Sequence, residues 1–336
     1  MRYVGLDVHK SQSTVCVLDQ GGRKLFTRTI HGPWSKVLAE VKKVKRPFAV
    51  CFEASTGYGY LYDRLAEVAR RVVVAHPGQL RLIFRAKRKN DRVDAHKLAT
   101  LLLLNAVPPV HVPAQDVRAW RAMIEHRQRQ VAERTRIKNT LRALLRSHGI
   151  AAPRGLWSRR GLLWLEELAL PHILDAVRRD DLLERLQSID RSISRVEKVL
   201  NALGRQHPGV QLLRSIPGVG PRTGEAVVAY IDDPRRFTRS KAIGSYFGLV
   251  PCLDASADRS RYGHITREGP TTVRQLLVEA AWQGIRRSPR IGAYFERIRQ
   301  GNPERKKIAL VATAHYLLRV MLAMLETGEC WRAEAA

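Results

Sequence analysis

Two aspartates in a strongly basic segment, Asp91 and Asp94 of Lys89–Ala99, have the spacing and neighbours of a metal site that binds a polyanion. On a helix, side chains three residues apart lie on one face. Their carboxylate oxygens are the hard ligands that Mg²⁺ or Mn²⁺ prefers. The basic side chains that would attract phosphates to this metal are Lys87, Arg88, Lys89 and Arg92. A solvated helix with charge pairs between its turns is the alternative that this segment alone leaves open.

Two further acids lie at strand ends. Asp7 is near the end of the first predicted strand, and Glu53 ends the fourth. If these strands are neighbours in one sheet, their carboxylates should converge at its C-terminal edge, with Asp91 and Asp94 completing a cluster of four. Such a cluster can hold two Mg²⁺ ions about 4 Å apart that activate a nucleophile and stabilise the leaving oxygen of a phosphoryl displacement. Taken alone, Asp7 could be an exposed strand residue, whereas an unpaired charge at Glu53, after an apolar strand, would be costly.

The order of predicted elements is that of an α/β, RNase H-like domain with a mixed sheet. Apolar runs and the turn residues Gly21 and Gly22 predict three antiparallel strands at the start of the chain, followed by alternating helix and strand. The predicted strands cover residues 3–8, 13–18, 24–30, 47–53 and 71–75, and the predicted helices cover 34–44 and 61–70. We place this catalytic domain at residues 1–112.

The charge of the chain indicates a nucleic-acid partner. The sequence has 59 lysines plus arginines against 31 aspartates plus glutamates, a net charge of +28 with histidine neutral. Phosphates attract such a surplus strongly and largely without regard to base sequence. Solubility through net charge is the alternative, although solubility does not require so basic a chain.

The cysteine pattern and the apolar segments fit a protein of a reducing compartment. The four cysteines are scattered and form no pattern of zinc spacing, and the first residues run directly into a strand rather than a signal peptide. The longest apolar segment, 308–325, is interrupted by His315 and Arg319. It therefore predicts a core helix rather than a membrane span.

Residues 113–207 are predicted to form a helical linker with a basic face. The helix predicted over 116–145 has apolar residues at helical spacing, so one side can pack while the other meets phosphate. A charge-balanced solvated helix is the weaker alternative, because acids are few here. The side chains expected to contact nucleic acid are Arg121, Arg129, Arg136 and Lys138. A second helical region, 165–203, has heptad-like spacing that fits an antiparallel hairpin or a dimerising coiled coil equally well.

The C-terminal domain, predicted to be mainly helical over 208–336, begins with a helix-hairpin-helix pattern at Gln211–Gly224. Gly218 and Gly220 allow a tight turn whose amides, together with the N-terminus of the next helix, can cradle a DNA phosphate. A purely structural turn is the alternative.

Three segments resemble the N-terminal motifs of a known family. Gly5–Lys10, Phe52–Tyr58 and Asn90–Ala99 are similar to those of the DEDD-type insertion-sequence transposases, the insertion sequence 110 family, whose N-terminal domain resembles RuvC Holliday-junction resolvases. The resemblance implies a RuvC-like domain in which the four acids named above are metal-binding catalytic residues. It also implies that the basic helical region holds a structured guide (bridge) RNA, and that the linker brings subunits together as a homo-oligomer, a dimer or a tetramer.

The resemblance extends into the C-terminal domain. The residues that match the family's Gly-Leu-x-Pro element, loop serine, glycine and helical arginine are Gly248–Pro251, Ser256, Gly269 and Arg274. The family implies Ser256 as the nucleophile, which would form a phosphoserine link to the cut DNA strand once a carboxylate-bound metal activates it. Ala257 stands where the family has glycine, which leaves Ser260 as a rival. The side chains expected to hold phosphate here are Arg259, Arg261, His264 and Arg267, and Arg274 is also expected to contact nucleic acid. A basic DNA-contacting loop without chemistry is the alternative.

These features predict an RNA-guided DNA recombinase, the transposase of an insertion sequence. It would need Mg²⁺ or Mn²⁺ and a guide RNA, and it would join donor and target DNA through a serine-linked intermediate. Two alternatives are a metal-only RuvC-like endonuclease or resolvase, in which water attacks, and a non-enzymatic nucleic-acid scaffold. We expect the protein in the bacterial cytoplasm, associated with the nucleoid, without a membrane partner.

Overall fold

The computed structural model describes residues 1–83, 91–256 and 259–332, and it describes residues 254–256, 259 and 260 by their backbone alone. The predicted nucleic-acid contacts Lys87, Arg88 and Lys89 therefore lie outside the described residues. The chain divides into two compact units, Met1–Arg118 and Ala119–Ala336.

A mixed five-stranded sheet forms the first unit, which confirms the predicted α/β N-terminal domain. The strands are β1 (Arg2–Val8), β2 (Gln12–Leu18), β3 (Lys24–His31), β4 (Phe48–Glu53) and β5 (Arg71–Ala75). Their order in the sheet is β3-β2-β1-β4-β5, with β1 antiparallel to β2 and parallel to β4. The helices of this unit are α1 (Trp34–Lys42), α2 (Tyr58–Ala66), α3 (Pro77–Ile83) and α4 (Asp91–Leu103).

Both faces of the sheet are covered, which explains why β1 and β4 are apolar almost throughout. Leu6, Phe48 and Phe52 point to one face and form a buried cluster with residues of α1 and α2. Alternate residues point to the other face, where Ala49 and Cys51 pack with apolar residues of α4. The C-terminal ends of β1 and β4 therefore project their side chains alternately toward the α1/α2 layer and toward α4.

The second unit is built mainly from helices, as predicted for the C-terminal part of the chain. Its helices are α5 (Gln115–Ser147, which begins in the first unit), α6 (Arg159–Glu167), α7 (Ile173–Gln206), α8 (Pro208–Leu213), α9 (Pro221–Ile231), α10 (Ala242–Tyr246), α11 (Thr271–Arg287), α12 (Pro289–Arg299) and α13 (Lys306–Thr327). One antiparallel hairpin, β6 (Pro251–Ser256) and β7 (Arg259–Ile265), extends from them.

The long helices α5 and α7 pack antiparallel within the chain. Arg127 pairs with Glu197 and Arg134 pairs with Asp190, so contact positions rise along α5 while they fall along α7. The hairpin alternative for the heptad-like region thus describes the packing inside one chain. The helical region predicted over 165–203 is divided between two helices, because residues 168–172 separate α6 from α7. Pro171 lies in this break, where its ring and missing N–H oppose a continuous helix.

The apolar helix α13 packs into the core of the second unit. With the turn before it, Pro303–Thr327 is long and apolar enough to cross a membrane, but half of its apolar window is buried within the protein. Ala314, Leu317 and Met321 are fully buried and cluster with residues of α9 and α11. This burial is the packing predicted for a core helix.

Candidate active site

Strand register brings Asp7 and Glu53 to the same edge of the sheet. Leu6 of β1 pairs with Phe52 of β4 in the parallel ladder, and Asp7 and Glu53 are the next residues along these strands. Neighbouring strands lie about 4.8 Å apart, and paired residues point to the same face. That face is the one covered by α4, because Leu6 and Phe52 point to the other.

Gly5 lets α4 lie directly on β1. A Cβ atom at this position would be 2.0 Å from the carbonyl oxygen of Ala95 and 2.5 Å from the backbone nitrogen of Ala99. From this contact, Asp7 is two residues on along the strand, about 6.6 Å, and Asp91 is four residues back along the helix, about 6 Å. Because of this close contact, the first turn of α4 lies next to the end of β1.

Three potential ligand side chains meet at this edge. One ligand atom each from Asp7, His9 and Asp91 lies within 4.8 Å of the other two. His9 Nε2 is 3.3 Å from Asp7 Oδ1, and Asp91 Oδ2 accepts a hydrogen bond of 3.0 Å from Gln12 Nε2. The hydrogen bond from Gln12, the first residue of β2, therefore orients the Asp91 carboxylate toward this group of three side chains.

The surroundings of Asp7 disfavour its bare negative charge. Burial raises the pKa of Asp7 above its ordinary value, His9 lowers this pKa, and the nearby charges of Asp91 and Asp94 raise it further. Asp7 Oδ2 is buried and accepts no hydrogen bond from any described residue. A buried carboxylate oxygen without a donor, on a residue whose ligand atom lies within 4.8 Å of that of Asp91, fits a divalent cation, which would neutralise both carboxylates. The carboxylate oxygens of this group are the donors that suit Mg²⁺ or Mn²⁺.

Asp94 and Glu53 lie at this edge but outside the close group of three. Asp94 is near enough to raise the pKa of Asp7, and its Oδ1 lies 3.4 Å from Nζ of Lys97, one turn further along α4. Glu53 is exposed at the end of β4. The structure thus gathers all four predicted acids at one edge and brings Asp7 and Asp91 closest together. Arg92, the predicted phosphate contact on this helix, is exposed.

The basic residues of α5 divide into two groups. Arg129 and Arg136 are exposed, as a contact with nucleic acid requires. Lys138 is half-buried, with Nζ 5.0 Å from the centre of the Trp157 ring. Arg121 has a structural role, since its guanidinium donates hydrogen bonds to the carbonyl oxygens of Ala229 and Tyr230 at the end of α9. It thereby satisfies carbonyls that a helix end leaves without partners.

The predicted serine segment forms the hairpin of β6 and β7 rather than an irregular loop. Ser256 is the last residue of β6 and pairs with Arg259, and Ser260 pairs with Ala255. Their side chains, like that of Arg259, lie outside the description. Arg261 is exposed at the middle of β7.

Two glycines and an arginine fix the base of this hairpin. A Cβ atom on Gly248 would be 2.1 Å from the Glu268 carbonyl oxygen, and one on Gly269 would be 2.1 Å from that of Tyr246. Arg274 Nη1 donates to the carbonyl oxygens of Glu268 at 2.6 Å and Gly269 at 3.0 Å. The guanidinium of Arg274, predicted to contact nucleic acid, therefore holds main chain at the hairpin base. Exposed Arg267, at φ +57°, completes this turn.

The glycines of the predicted helix-hairpin-helix serve different purposes. Gly218 has φ +94°, and a Cβ atom there would be 2.4 Å from the backbone nitrogen of Gly284 in α11. Gly220 precedes α9, and an added Cβ would have no described atom within 4 Å. The turn between α8 and α9 therefore depends on glycine at 218 for its close packing against α11.

Sequence reasoning assigned no role to Gly5, His9 or Gln12. Glycine inside a buried apolar strand marks a close approach of backbone, which was the available signal for Gly5. His9 follows Asp7 by two residues, and a histidine so close to a strand-end acid is a possible ligand. No sequence pattern indicates a role for Gln12, because its contact with Asp91 spans 79 residues.

Comparisons with known proteins give the same assignment for both parts of the chain. Residues 4–150 match the family model for DEDD transposases of the IS110 type, and residues 210–296 match the model described as "Transposase IS116/IS110/IS902 family". A "Probable family 20 transposase" of Pseudomonas aeruginosa is 28% identical over 98% of each chain. The "Transposase for insertion sequence element IS1111A" of Coxiella burnetii is 27% identical over 84% of this chain and 77% of its own. The corresponding protein of IS1328 from Yersinia enterocolitica is 25% identical over 83% and 82%. The chain therefore belongs to the IS116/IS110/IS902 family of insertion-sequence transposases and is a DNA transposase.

Proposed function

We propose that this transposase cuts and rejoins DNA with a Mg²⁺-dependent carboxylate site in a RuvC-like first unit and a serine nucleophile in its second unit. The observation that carries the proposal is the contact of α4 with β1 at Gly5. Through that contact, acids from two distant parts of the sequence meet at the end of the sheet.

Asp7 and Asp91 would hold the metal between them, and Asp94 and Glu53 at the same edge would complete its surroundings. Oδ2 of Asp7, which accepts no hydrogen bond within the part of the chain that the structure describes, supports this assignment. When bound, Mg²⁺ would supply Lewis-acid activation of the attacking oxygen and neutralise charge on the leaving oxygen. Gln12 fixes the Asp91 carboxylate for this purpose, and the positive end of α4 favours negative charge at its first turn.

The nucleophile in the proposal is Ser256. Its place at the end of β6, with the hairpin base fixed by Arg274 and two close glycine contacts, gives a serine on a supported strand rather than a free loop. Attack by its hydroxyl on a DNA phosphodiester would leave a phosphoserine link and release the 3′ or 5′ oxygen of the cut strand. A supported nucleophile loses less orientational freedom in the transition state.

Structured guide RNA and DNA would bind to basic surfaces of the second unit. Exposed Arg129 and Arg136 would meet RNA phosphates on α5, and the turn at Gly218 would hold the DNA backbone as a helix-hairpin-helix. We also propose that the active form is a homo-oligomer. Sequencing the RNA that copurifies from the native host tests the guide. A discrete RNA encoded beside the gene, reduced in the Arg129→Ala/Arg136→Ala variant but retained with lysine at both positions, is the expected result.

The decisive experiment looks for a protein–DNA adduct that survives denaturation. Purified protein with its RNA, Mg²⁺ and the ends of its own element should give the adduct, and Ser256→Ala and Asp7→Ala should both abolish it. Ser260→Ala is the matched control and should retain the adduct.

Each other outcome identifies an error in the proposal. An adduct in Ser256→Ala would reject this serine, and its loss in Ser260→Ala would favour the rival. Cleavage without an adduct would favour the metal-only endonuclease, whose acid cluster lies wholly within the first unit. If strand exchange is unchanged in Asp7→Ala, the remaining interpretation is a non-enzymatic nucleic-acid scaffold.

A further inference from the structure

An open groove of about 710 Å³ lies beside the carboxylate edge in the first unit. It is lined by residues that directly follow two strands, His9 and Lys10 after β1 and Ser55 and Thr56 after β4. Its volume is within the range of roughly 300–1,000 Å³ that is usual for ligand sites. Because Asp7 is the last residue but one of β1 and Glu53 ends β4, the groove and the acids lie at the same edge of the sheet.

Two aromatic side chains form one wall of the groove. Trp34 of α1 and Tyr60 of α2 are nearly parallel, with an angle of 23° between their rings and 6.3 Å between the ring centres. Tyr60 is 48% exposed although it belongs to an amphipathic helix. A half-buried indole next to an exposed phenol ring is a surface on which a planar ligand can stack.

The Trp34 ring is held in place by the main chain around it. Its Nε1 donates a hydrogen bond of 3.1 Å to the His9 carbonyl oxygen. On another side lies Gly57, at φ +83°, where a Cβ atom would be 2.6 Å from Cη2 of the indole. This fixation means that little rotamer entropy would be lost when a ligand stacks here.

The rest of the lining combines the apolar side chains of Val8 and Pro33 with polar and basic ones, a mixture that suits a nucleotide. Lys10 and His9 can pair with phosphate, and the hydroxyls of Ser55 and Thr56 can bond the polar edge of a base. The described residues that line the groove include no acid. His9 also links groove and acids, since its Nε2 lies 3.3 Å from Asp7 Oδ1.

We propose that this groove binds an unstacked nucleobase of the DNA strand that is cut, next to the scissile phosphate. The base stacks on Tyr60 and Trp34, and its flanking phosphate lies between Lys10 and the carboxylates. The inference rests on the proposed function, because it assigns the substrate of the same edge. Stacking of single bases on aromatic side chains is tolerant of sequence, so the groove would position any base at the cut.

The test is photo-cross-linking of the full-length protein, in EDTA, to a mixed-sequence single-stranded DNA carrying 5-iododeoxyuridine. We expect cross-links at Tyr60 or Trp34 when the adducts are mapped by mass spectrometry. In parallel, Tyr60→Leu should weaken affinity for this DNA by roughly 5- to 150-fold, the range for loss of one stacked base. Affinity for an abasic oligonucleotide of the same length should stay unchanged. Tyr60→Phe keeps the ring and is the matched control.

Several results would overturn the proposal. These are cross-links confined to other residues, equal loss of affinity for the abasic strand, or preferential cross-linking of an oligoribonucleotide of the same sequence at this groove. Asp7→Asn separates this inference from the proposed chemistry, because it should retain the cross-link while losing metal-dependent cutting. If wild-type protein cuts DNA with Mg²⁺ but Tyr60→Leu cuts and binds normally, the groove assignment alone fails.

Discussion

Replacing Gly5 by alanine tests whether the contact of α4 with β1 assembles the carboxylate site. The new Cβ would be 2.0 Å from the Ala95 carbonyl oxygen, whereas ordinary contacts begin at 3.4 Å, so α4 must retreat by more than 1 Å. Overpacking of this kind costs about 1–3 kcal/mol, which at about 4 °C per kcal/mol for a unit of this size lowers the melting temperature by about 4–12 °C. A displacement of about 1 Å at catalytic groups can lower the rate about 100-fold.

Thermal unfolding with and without Mg²⁺, together with DNA cleavage, measures these effects in Gly5→Ala. Gly21→Ala is the matched control in the same unit, because its Cβ would meet only Asp19 Oδ1 at an ordinary 3.5 Å. We expect the control to keep both stability and activity. If Gly5→Ala melts within 1–2 °C of the wild type and cleaves DNA at a similar rate, the close contact does not position the acids and this reasoning is refuted.

Three further predictions concern charge. Asp7→Asn should raise the melting temperature in EDTA, because burial and two nearby acids disfavour the charge of Asp7. The same variant should abolish the stabilisation by Mg²⁺, which for the wild type would be about 2.7 kcal/mol at 100 times the Kd. A larger Mg²⁺-induced shift of the melting temperature in the variant would contradict the assignment. Burial raises the pKa of Glu225 to about 7, so between about pH 4.5 and 7 the folded state keeps a proton that the unfolded state loses. Over this pH range the stability of the wild type should fall relative to that of Glu225→Gln by on the order of 3 kcal/mol. Urea unfolding at several pH values measures this difference. A difference independent of pH would be the contrary result. Arg274→Lys should destabilise the hairpin by about 2 kcal/mol and speed amide hydrogen exchange in β6 and β7, since lysine cannot bridge the two carbonyls that the guanidinium binds. Unchanged exchange would show that these hydrogen bonds do not stabilise the hairpin.

The sequence predicted the first unit well because its strands carry strong local signals. The turn at Gly21 and Gly22 and the continuous apolar run before Glu53 are properties of short segments, and strand order followed from the order of elements. The convergence of Asp7 with Asp91 was predictable for the same reason, since both lie at ends of well-marked elements. The break between α6 and α7 was not predicted, although Pro171 within it was a local signal for one.

The roles of arginine could not be read from the sequence. Arg121 and Arg129 lie two turns apart on one basic helix, yet one binds the end of α9 and the other faces solvent. Which partner each side chain meets depends on long-range packing, and Arg121 reaches residues more than 100 positions away. The same holds for Gln12 and Asp91. Composition gives the sum of charges but not their assignment to interior or surface.

That division of the arginines has a consequence for the ionic-strength dependence of nucleic-acid affinity. Each phosphate contact made by an exposed cation releases condensed counterions and steepens the fall of log affinity with log salt. Arg121, Arg127 and Arg274 are already engaged with carbonyls or a carboxylate, so they release none. The slope of a salt titration should therefore report a number of contacts well below the formal surplus of 28 charges.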